Sequence, residues 1–271
     1  MNFSGKQEWA FILGGSSGMG LAAAKKLAKC GMNIALVHRD RKGSMSRIEQ
    51  DFAEIKRENV GFISLNENAL DSETRTKTVD LLRAEIGPGS IKLLLHSIAL
   101  GNLKLIAPLN TYNDQDDLKP LATEEDFNQT IFSMGTSLLL WVQDLHRKCL
   151  FTKDARVLGL TSEGNQVAWR GYAQVSAAKA SLEAIARSIA LEFAPYGIRC
   201  NILQPGIADT QAFRVIPGSG EMKAKALSRN PFGRITEPKD VANVVALMCT
   251  DEASWINGAI IRVDGGEHIV G

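Results

Sequence analysis

The chain has 271 residues, 45% of them hydrophobic and 23% charged, with a formal net charge of +1. That length and balance suit one ordinary α/β domain, and a near-neutral chain has no bulk field to draw it to nucleic acid or an anionic membrane. No apolar run reaches membrane-spanning length, the first residues lack a secretion signal's basic start and long apolar core, and the cysteines and histidines fall in no metal-binding spacing; a reduced, cytoplasmic protein without a metal site is expected.

In chain order, 9–13 reads as a buried strand and 18–30 as a helix, with Leu21, Ala24, Leu27 and Ala28 on one face and Gly31 as its stop. Strands are expected at 33–37, 60–65 and 91–95, separated by helices at 44–58 and 74–86. A long helix follows at 124–148, then a strand at 155–160 and a helix at 172–194 stopped by Pro195. A strand at 198–203, a helix at 239–250 and a strand at 259–263 complete the chain. This alternation predicts a parallel sheet of about seven strands with helices on both faces, and no linker divides it, so 1–271 reads as one domain. Two segments read as loops. The first, 101–123, holds the polar tract 110–117 and is expected as a surface insertion; the second, 211–233, is expected as a functional, lid-like loop.

The first strand runs into Gly14-Gly-Ser-Ser-Gly-Met-Gly20, which opens the first helix. Glycines at 14, 18 and 20 allow a sharp turn and close backbone approach to a pyrophosphate, which the free N–H groups of a helix N-terminus attract. Strand, turn and helix are the context that makes such a triplet meaningful, so Gly14, Ser16, Ser17, Gly18, Met19 and Gly20 are candidate cofactor contacts on a doubly wound, Rossmann-type sheet. The second strand runs into Val37-His-Arg-Asp-Arg-Lys42. An acidic residue at its end binds a ribose 2′-OH, and a basic one accommodates a 2′-phosphate. His38 stands in that place and Arg39 follows, which favours NADPH; the other reading leaves Arg39 and Arg41 solvating a turn, with Asp40 serving NADH.

Four ordered segments resemble the short-chain dehydrogenase/reductase family across nearly the whole chain. They are Gly14 to Gly20 with Leu13 in place of the usual Thr, Ile198-Arg-Cys-Asn201, Pro205-Gly-Ile-Ala-Asp-Thr210 and Val263-Asp-Gly-Gly266. The resemblance implies that Asn68, with Ala69, touches the adenine, that Pro205, Gly206, Ala208 and Thr210 contact the nicotinamide end, and that the protein is a homotetramer. Three departures are informative. The commoner members carry Tyr-x-x-x-Lys, whereas Lys179 has Val175 four residues earlier and Tyr172 seven earlier. The segment after the fourth strand is His96-Ser97-Ile98-Ala99. The long-helix Asn is replaced near Met134. All three resemble the enoyl-acyl carrier protein reductase branch, whose signature is Tyr-x6-Lys, and Thr161-Ser162-Glu-Gly164 resembles it too. Many members of that branch carry a second tyrosine ten residues before the first; Ser162 stands there instead, and some members, an NADPH-using type among them, also lack that tyrosine.

Tyr172 and Lys179 are therefore the expected catalytic pair, with Lys179 also on the nicotinamide ribose and its charge favouring phenolate. If Tyr172 is already helical, seven residues are about two turns and both share one face. Read singly, each is an ordinary residue, a packing tyrosine at a helix start and a solvated helix lysine; the flanking segments make them a pair. Reduction of an enoyl thioester places hydride on C3 while charge develops on the C1 oxygen, so a donor one turn farther back suits it. Leu100, Ser162, Trp169, Tyr172, Ala212 and Phe213 are candidate substrate contacts; Val215 and Ile216, with Leu103, Leu105 and Ile106 opposite, are expected to line an acyl tunnel or to be plain core. Arg214, Lys223, Lys225, Arg229 and Arg234 either meet an acidic acyl carrier protein at the mouth or form a solvated face. The competing functions are a ketone or specialised enone reductase of the same family and a non-catalytic dinucleotide-binding protein.

Overall fold

The computed structural model describes residues 1–108 and 120–270, so the polar tract 110–117 lies outside the described residues. Seven strands form one parallel sheet: β1 (Trp9–Leu13), β2 (Asn33–His38), β3 (Phe62–Asn66), β4 (Ile91–His96), β5 (Phe151–Leu160), β6 (Ile198–Pro205) and β7 (Ile260–Val263). Their order is β3-β2-β1-β4-β5-β6-β7. The helices are α1 (Gly18–Lys29), α2 (Met45–Lys56), α3 (Ser72–Glu85), α4 (Glu124–Ile131), α5 (Ser137–Arg147), α6 (Ala173–Glu192), α7 (Gln211–Arg214), α8 (Ser219–Arg229) and α9 (Pro238–Met248). Among the described residues, no helix is long and apolar enough to cross a membrane, and no cluster of acidic, histidine and cysteine side chains is placed to hold a metal ion.

Alternation along the strands divides the core in two. Ala10, Ile12, Ile34, Leu36 and Leu95 pack under α1, α2 and α9. Phe11, Leu13, Ala35, Val37 and Leu94 pack on the other face, under α3, α5 and α6. Both faces are apolar because both are covered, which is why β1, β2 and β4 are near-continuous hydrophobic runs. Trp141 of α5 is fully buried in the second core, edge-on to Phe11 at 5.3 Å, and its indole N–H donates to the Ala69 carbonyl at 3.0 Å.

Two expectations are corrected. The long helix over 124–148 is interrupted by a π turn at Phe132–Thr136. Here α4 and α5 cross α6 closely: a Cβ on Gly135 would stand 2.9 Å from the Ala178 carbonyl. The Ser133 hydroxyl donates out of the helix to the Leu100 carbonyl, and Ser137 donates back to the Ser133 carbonyl at 3.0 Å. Back-bonding hydroxyls and a close crossing widen a helical turn. The segment 211–233 is not a loop but mostly helical, carrying α7 and α8. Thr210 caps α7, accepting from the Phe213 N–H at 3.2 Å. Met222 and Ala226 are the buried face of α8, four residues apart among charges that mask the period in the sequence.

Candidate active site

Strand order reverses between β1 and β4, and the carboxyl ends of the strands open there into a crevice. The turn from β1 into α1 forms its floor. Gly14 has φ +84°, and a Cβ there would lie 2.6 Å from the Ser97 carbonyl oxygen; one on Gly20 would overlap the Gly14 carbonyl. Only glycine fits this turn. Ser17 starts α1 without capping it through its side chain, and the first turn carries no acid, so the helix end keeps its N–H groups and positive dipole for an anion. Ser16 is buried, Gly18 takes the left-handed conformation at φ +54°, and Met19 reaches the cavity described below. The turn therefore fits a dinucleotide pyrophosphate. The Ser97 N–H donates to the Leu13 carbonyl at 2.9 Å, Ile98 packs on the core, and Ala99 faces the cavity, so 97–99 lies against the same turn.

The ribose end differs from the expectation. His38 does not present its imidazole to a ligand: it is 4% exposed, edge-on to Phe52 at 5.4 Å, with Nδ1 2.9 Å from an Asp40 carboxylate oxygen. The last strand residue points inward because its neighbours pack it against α2. Asp40 is thereby engaged, and its backbone N–H and carbonyl are both bonded to Asn66. Arg39 is exposed, with no ion-pair partner among the described residues, as are Arg41 and Lys42, so this corner carries unpaired cations. The half-buried Asn68 accepts from the Leu70 N–H at 3.3 Å, and the Ala69 carbonyl is committed to Trp141.

On the far side of the crevice, β5 and α6 carry the polar groups. Tyr172 is not helical; it stands just before α6 with φ −111° and ψ 2°. Its hydroxyl lies 3.2 Å from Ser162 Oγ. Burial pushes the phenol above its ordinary pKa, and the Ser162 hydrogen bond opposes this. The expectation that Lys179 makes the phenol more acidic is not met: the lysine ammonium turns to the Leu160 carbonyl at 2.7 Å. Burial pulls Lys179 down to about 8, against the attraction of Glu183 one turn on. Thr161 lines the cavity, but its hydroxyl is committed to Glu183 at 2.5 Å, an oxygen that also accepts from Asn165.

A cavity of about 220 Å³ opens in front of Tyr172. Pro205, Gly206, Ala208 and Thr210 line one side, with Ser162, Trp169, Ala212 and Phe213. Leu103, Val215 and Ile216 line it as the apolar-tunnel reading expected. Leu100 does not: its side chain is 37% exposed, its carbonyl takes the Ser133 hydroxyl, and Gly101 stands in its place. Leu105 is not among the lining residues either, and Ile106 is 67% exposed. The basic cluster is largely neutralised: Arg214 and Lys223 pair with Asp209, Arg229 with Glu163 and Arg234 with Asp240, while Lys225 lies 5.5 Å over the Trp169 ring. Sequence reading missed Met134 and Val175 as adjoining cavity walls, and Glu163 and Glu267 as its carboxyl groups. Glu267 directly follows the Val263-Asp-Gly-Gly266 segment, which was the available signal, but its inward course depends on two glycines in the left-handed conformation.

A glycine turn at the switch point of a parallel sheet, facing a tyrosine and a buried lysine, defines a dinucleotide-dependent oxidoreductase fold. A family model described as "Enoyl-(Acyl carrier protein) reductase" matches residues 14–268, and the chain belongs to the short-chain dehydrogenase/reductase family. It is an oxidoreductase of that family. Among curated relatives, the 3-oxoacyl-(acyl-carrier-protein) reductase FabG of Escherichia coli (strain K12) is 27% identical over 270 residues, covering 100% of both chains. The enzyme of the same description from Staphylococcus aureus (strain Mu50 / ATCC 700699) is 25% identical, covering 96% of this chain and 98% of its own. A short chain dehydrogenase from Burkholderia cenocepacia J2315, solved in complex with NADP, superposes with TM-score 0.76 at 25% identity, over 97% of this chain and 98% of that one. A short-chain type dehydrogenase/reductase from Mycobacterium ulcerans has the same fold, with TM-score 0.82 at 19% identity, over 100% and 92% of the two chains.

Proposed function

We propose that this protein reduces the conjugated C=C of an enoyl thioester with NADPH, the acyl group arriving on an acyl carrier protein. The observation that carries this reading is the register of the acid. Val175, four residues before Lys179, is 5% exposed and packs with Met134 and Ala178 in the cavity wall, while the phenol lies three residues earlier, beside Ser162. Standing just before α6 rather than on it, the phenol is set back toward the start of that helix. That displacement suits a donor aimed at the thioester oxygen rather than at the carbon receiving hydride.

A nicotinamide bound along 205–210 would supply the hydride. Tyr172, kept protonated by burial, donates to the developing enolate oxygen, with Ser162 orienting its hydroxyl. Lys179, charged at neutral pH, would hold the ribose end of the cofactor. Arg39 would meet a 2′-phosphate, which with the engaged Asp40 favours NADPH over NADH. The NADP bound by the Burkholderia relative supports the same choice. The apolar walls exclude water from the acyl group. A homotetramer in the cytoplasm is part of this proposal, checked by size-exclusion chromatography with light scattering and by fractionation.

A second reading, reduction of a 3-oxoacyl thioester, is favoured by the function named for the FabG relatives. Oxidation of NADPH, followed with crotonyl and then acetoacetyl thioester, separates the two. Faster crotonyl turnover, lost in Tyr172→Phe, supports enoyl reduction; turnover of the keto substrate alone overturns it in favour of the second reading.

A further inference from the structure

His96 ends β4 almost completely buried, and the proposed reaction gives it no part. In the sheet it stands opposite Gly159 of β5, whose open side faces Leu182 of α6. Paired residues of parallel strands project to the same face, so the imidazole lies on the side that α6 covers. Lys179 comes from that helix, and its ammonium ends on the carbonyl of Leu160, the residue after Gly159. The two basic groups thus share one buried volume between β4, β5 and α6.

The hydrogen bonds around the ring favour one tautomer. Ser137 Oγ donates its single proton to the Ser133 carbonyl at 3.0 Å. With its proton there it accepts from His96 Nε2 at 2.9 Å, the arrangement in which Nε2 carries the hydrogen. Nδ1 is left with a bare lone pair, and it has no partner among the described residues. A buried acceptor without a donor is costly, and such groups are generally satisfied by a neighbour or by water. Across the same volume the Lys179 ammonium has three hydrogens, of which the Leu160 carbonyl takes one.

We propose that His96 is a positioning residue for Lys179: its Nδ1 accepts from the ammonium across one bridging water, and so holds the lysine charged in its place at the Leu160 carbonyl. An acceptor without a direct partner and a donor with hydrogens to spare, both buried on one face of the sheet, are the setting in which a bridging water belongs. The imidazole suits this role because it does not compete for the proton: burial first, and the Lys179 charge second, pull its pKa down to about 3. The other groups around Lys179 leave the role open. Glu183, on its own helix, is tied to Thr161 and Asn165; β5 contributes the Leu160 carbonyl; the π turn contributes Ser133 and Met134, neither of which titrates; Asp126 on α4 is paired with Lys104; and Tyr172 bonds to Ser162.

The inference rests on Lys179 being important to the proposed function, but its test reads the lysine directly, by side-chain NMR of isotope-labelled lysine and histidine in the nucleotide-free protein. In the wild type, His96 is expected to be protonated at Nε2 only, and its Nδ1 signal to move as Lys179 loses its proton near about 8. His96→Gln keeps a donor toward Ser137 but no acceptor at the Nδ1 position, and the Lys179 midpoint should fall by about one pH unit. His96→Asn, which returns an acceptor oxygen there, should recover most of that shift. A ring protonated at Nδ1, a Lys179 midpoint unmoved by His96→Gln, or equal displacement in both variants overturns the proposal. If His96→Gln does not fold, the wild-type histidine spectrum alone decides. NADPH binding, measured separately by fluorescence, tests the role of Lys179: a coupled His96 and Lys179 with cofactor affinity independent of the lysine charge would sustain this inference while removing the reading it serves.

Discussion

The two walls of the crevice are made of different material. Under β1 and α1 the contacts offered to a ligand are backbone N–H groups and a helix dipole, and side chains matter there mainly by being absent. Across the crevice, under β5 and α6, the contacts are side chains: Tyr172 with Ser162, Lys179 with Leu160, Thr161 with Glu183. A backbone wall recognises what all dinucleotides share. A side-chain wall selects a reaction, and moving one hydroxyl three residues along the chain changes which atom it can serve.

If that division is right, substitutions on the two sides should fail differently. The largest effect belongs to Tyr172→Phe, which should lower kcat about a thousandfold while leaving NADPH affinity within about twofold; a matched loss of affinity would place the tyrosine in cofactor binding instead. Gly14→Ala forces a side chain into a left-handed turn against the Ser97 carbonyl, and should weaken NADPH and NADH alike by about a hundredfold. Unequal losses in calorimetric titration would show that this wall discriminates after all.

The next effect is acid lability at the join between the walls. His96 is neutral in the fold, with its pKa near about 3, and titrates in the unfolded chain near 6.5. A depressed folded pKa means that stability is complete above 6.5 and is lost as pH falls below it. By pH 5 this amounts to about 2 kcal/mol. Denaturant midpoints at pH 7 and pH 5 should therefore separate in the wild type and converge in His96→Asn. Smallest is Arg39→Ala, expected to weaken NADPH binding about tenfold and leave NADH unchanged. An equal effect on both cofactors would return Arg39 to the status of a solvated turn residue.

Much of the backbone-built wall was legible in sequence because its signal is local: a buried strand, a glycine turn and a helix within twenty contiguous positions. The side-chain wall was legible in its parts but not in its contacts. The spacing of Tyr172 and Lys179 could be counted, yet the lysine turns to a carbonyl and the phenol to Ser162, because burial decides where each polar group finds its partner. His38 illustrates the same limit: its place at the end of β2 was readable, but packing against Phe52 turned it inward. Leu100 was counted as a lining residue, yet the crossing of the π turn over its carbonyl gave that place to Gly101.

The sequence by itself determined the sheet, its two covered faces, the dinucleotide turn and the candidate acid and lysine, all of which follow from periodicity and short spacings. Tertiary structure decided what those residues face. It closed the charged cluster near the mouth into ion pairs, folded 211–233 into helices over the cavity, brought Glu163 and Glu267 to its lining, and set His96 against Ser137. The reason is physical: hydrogen-bond satisfaction and close packing are settled between segments distant in the chain, and no local pattern encodes which buried donor will meet which acceptor.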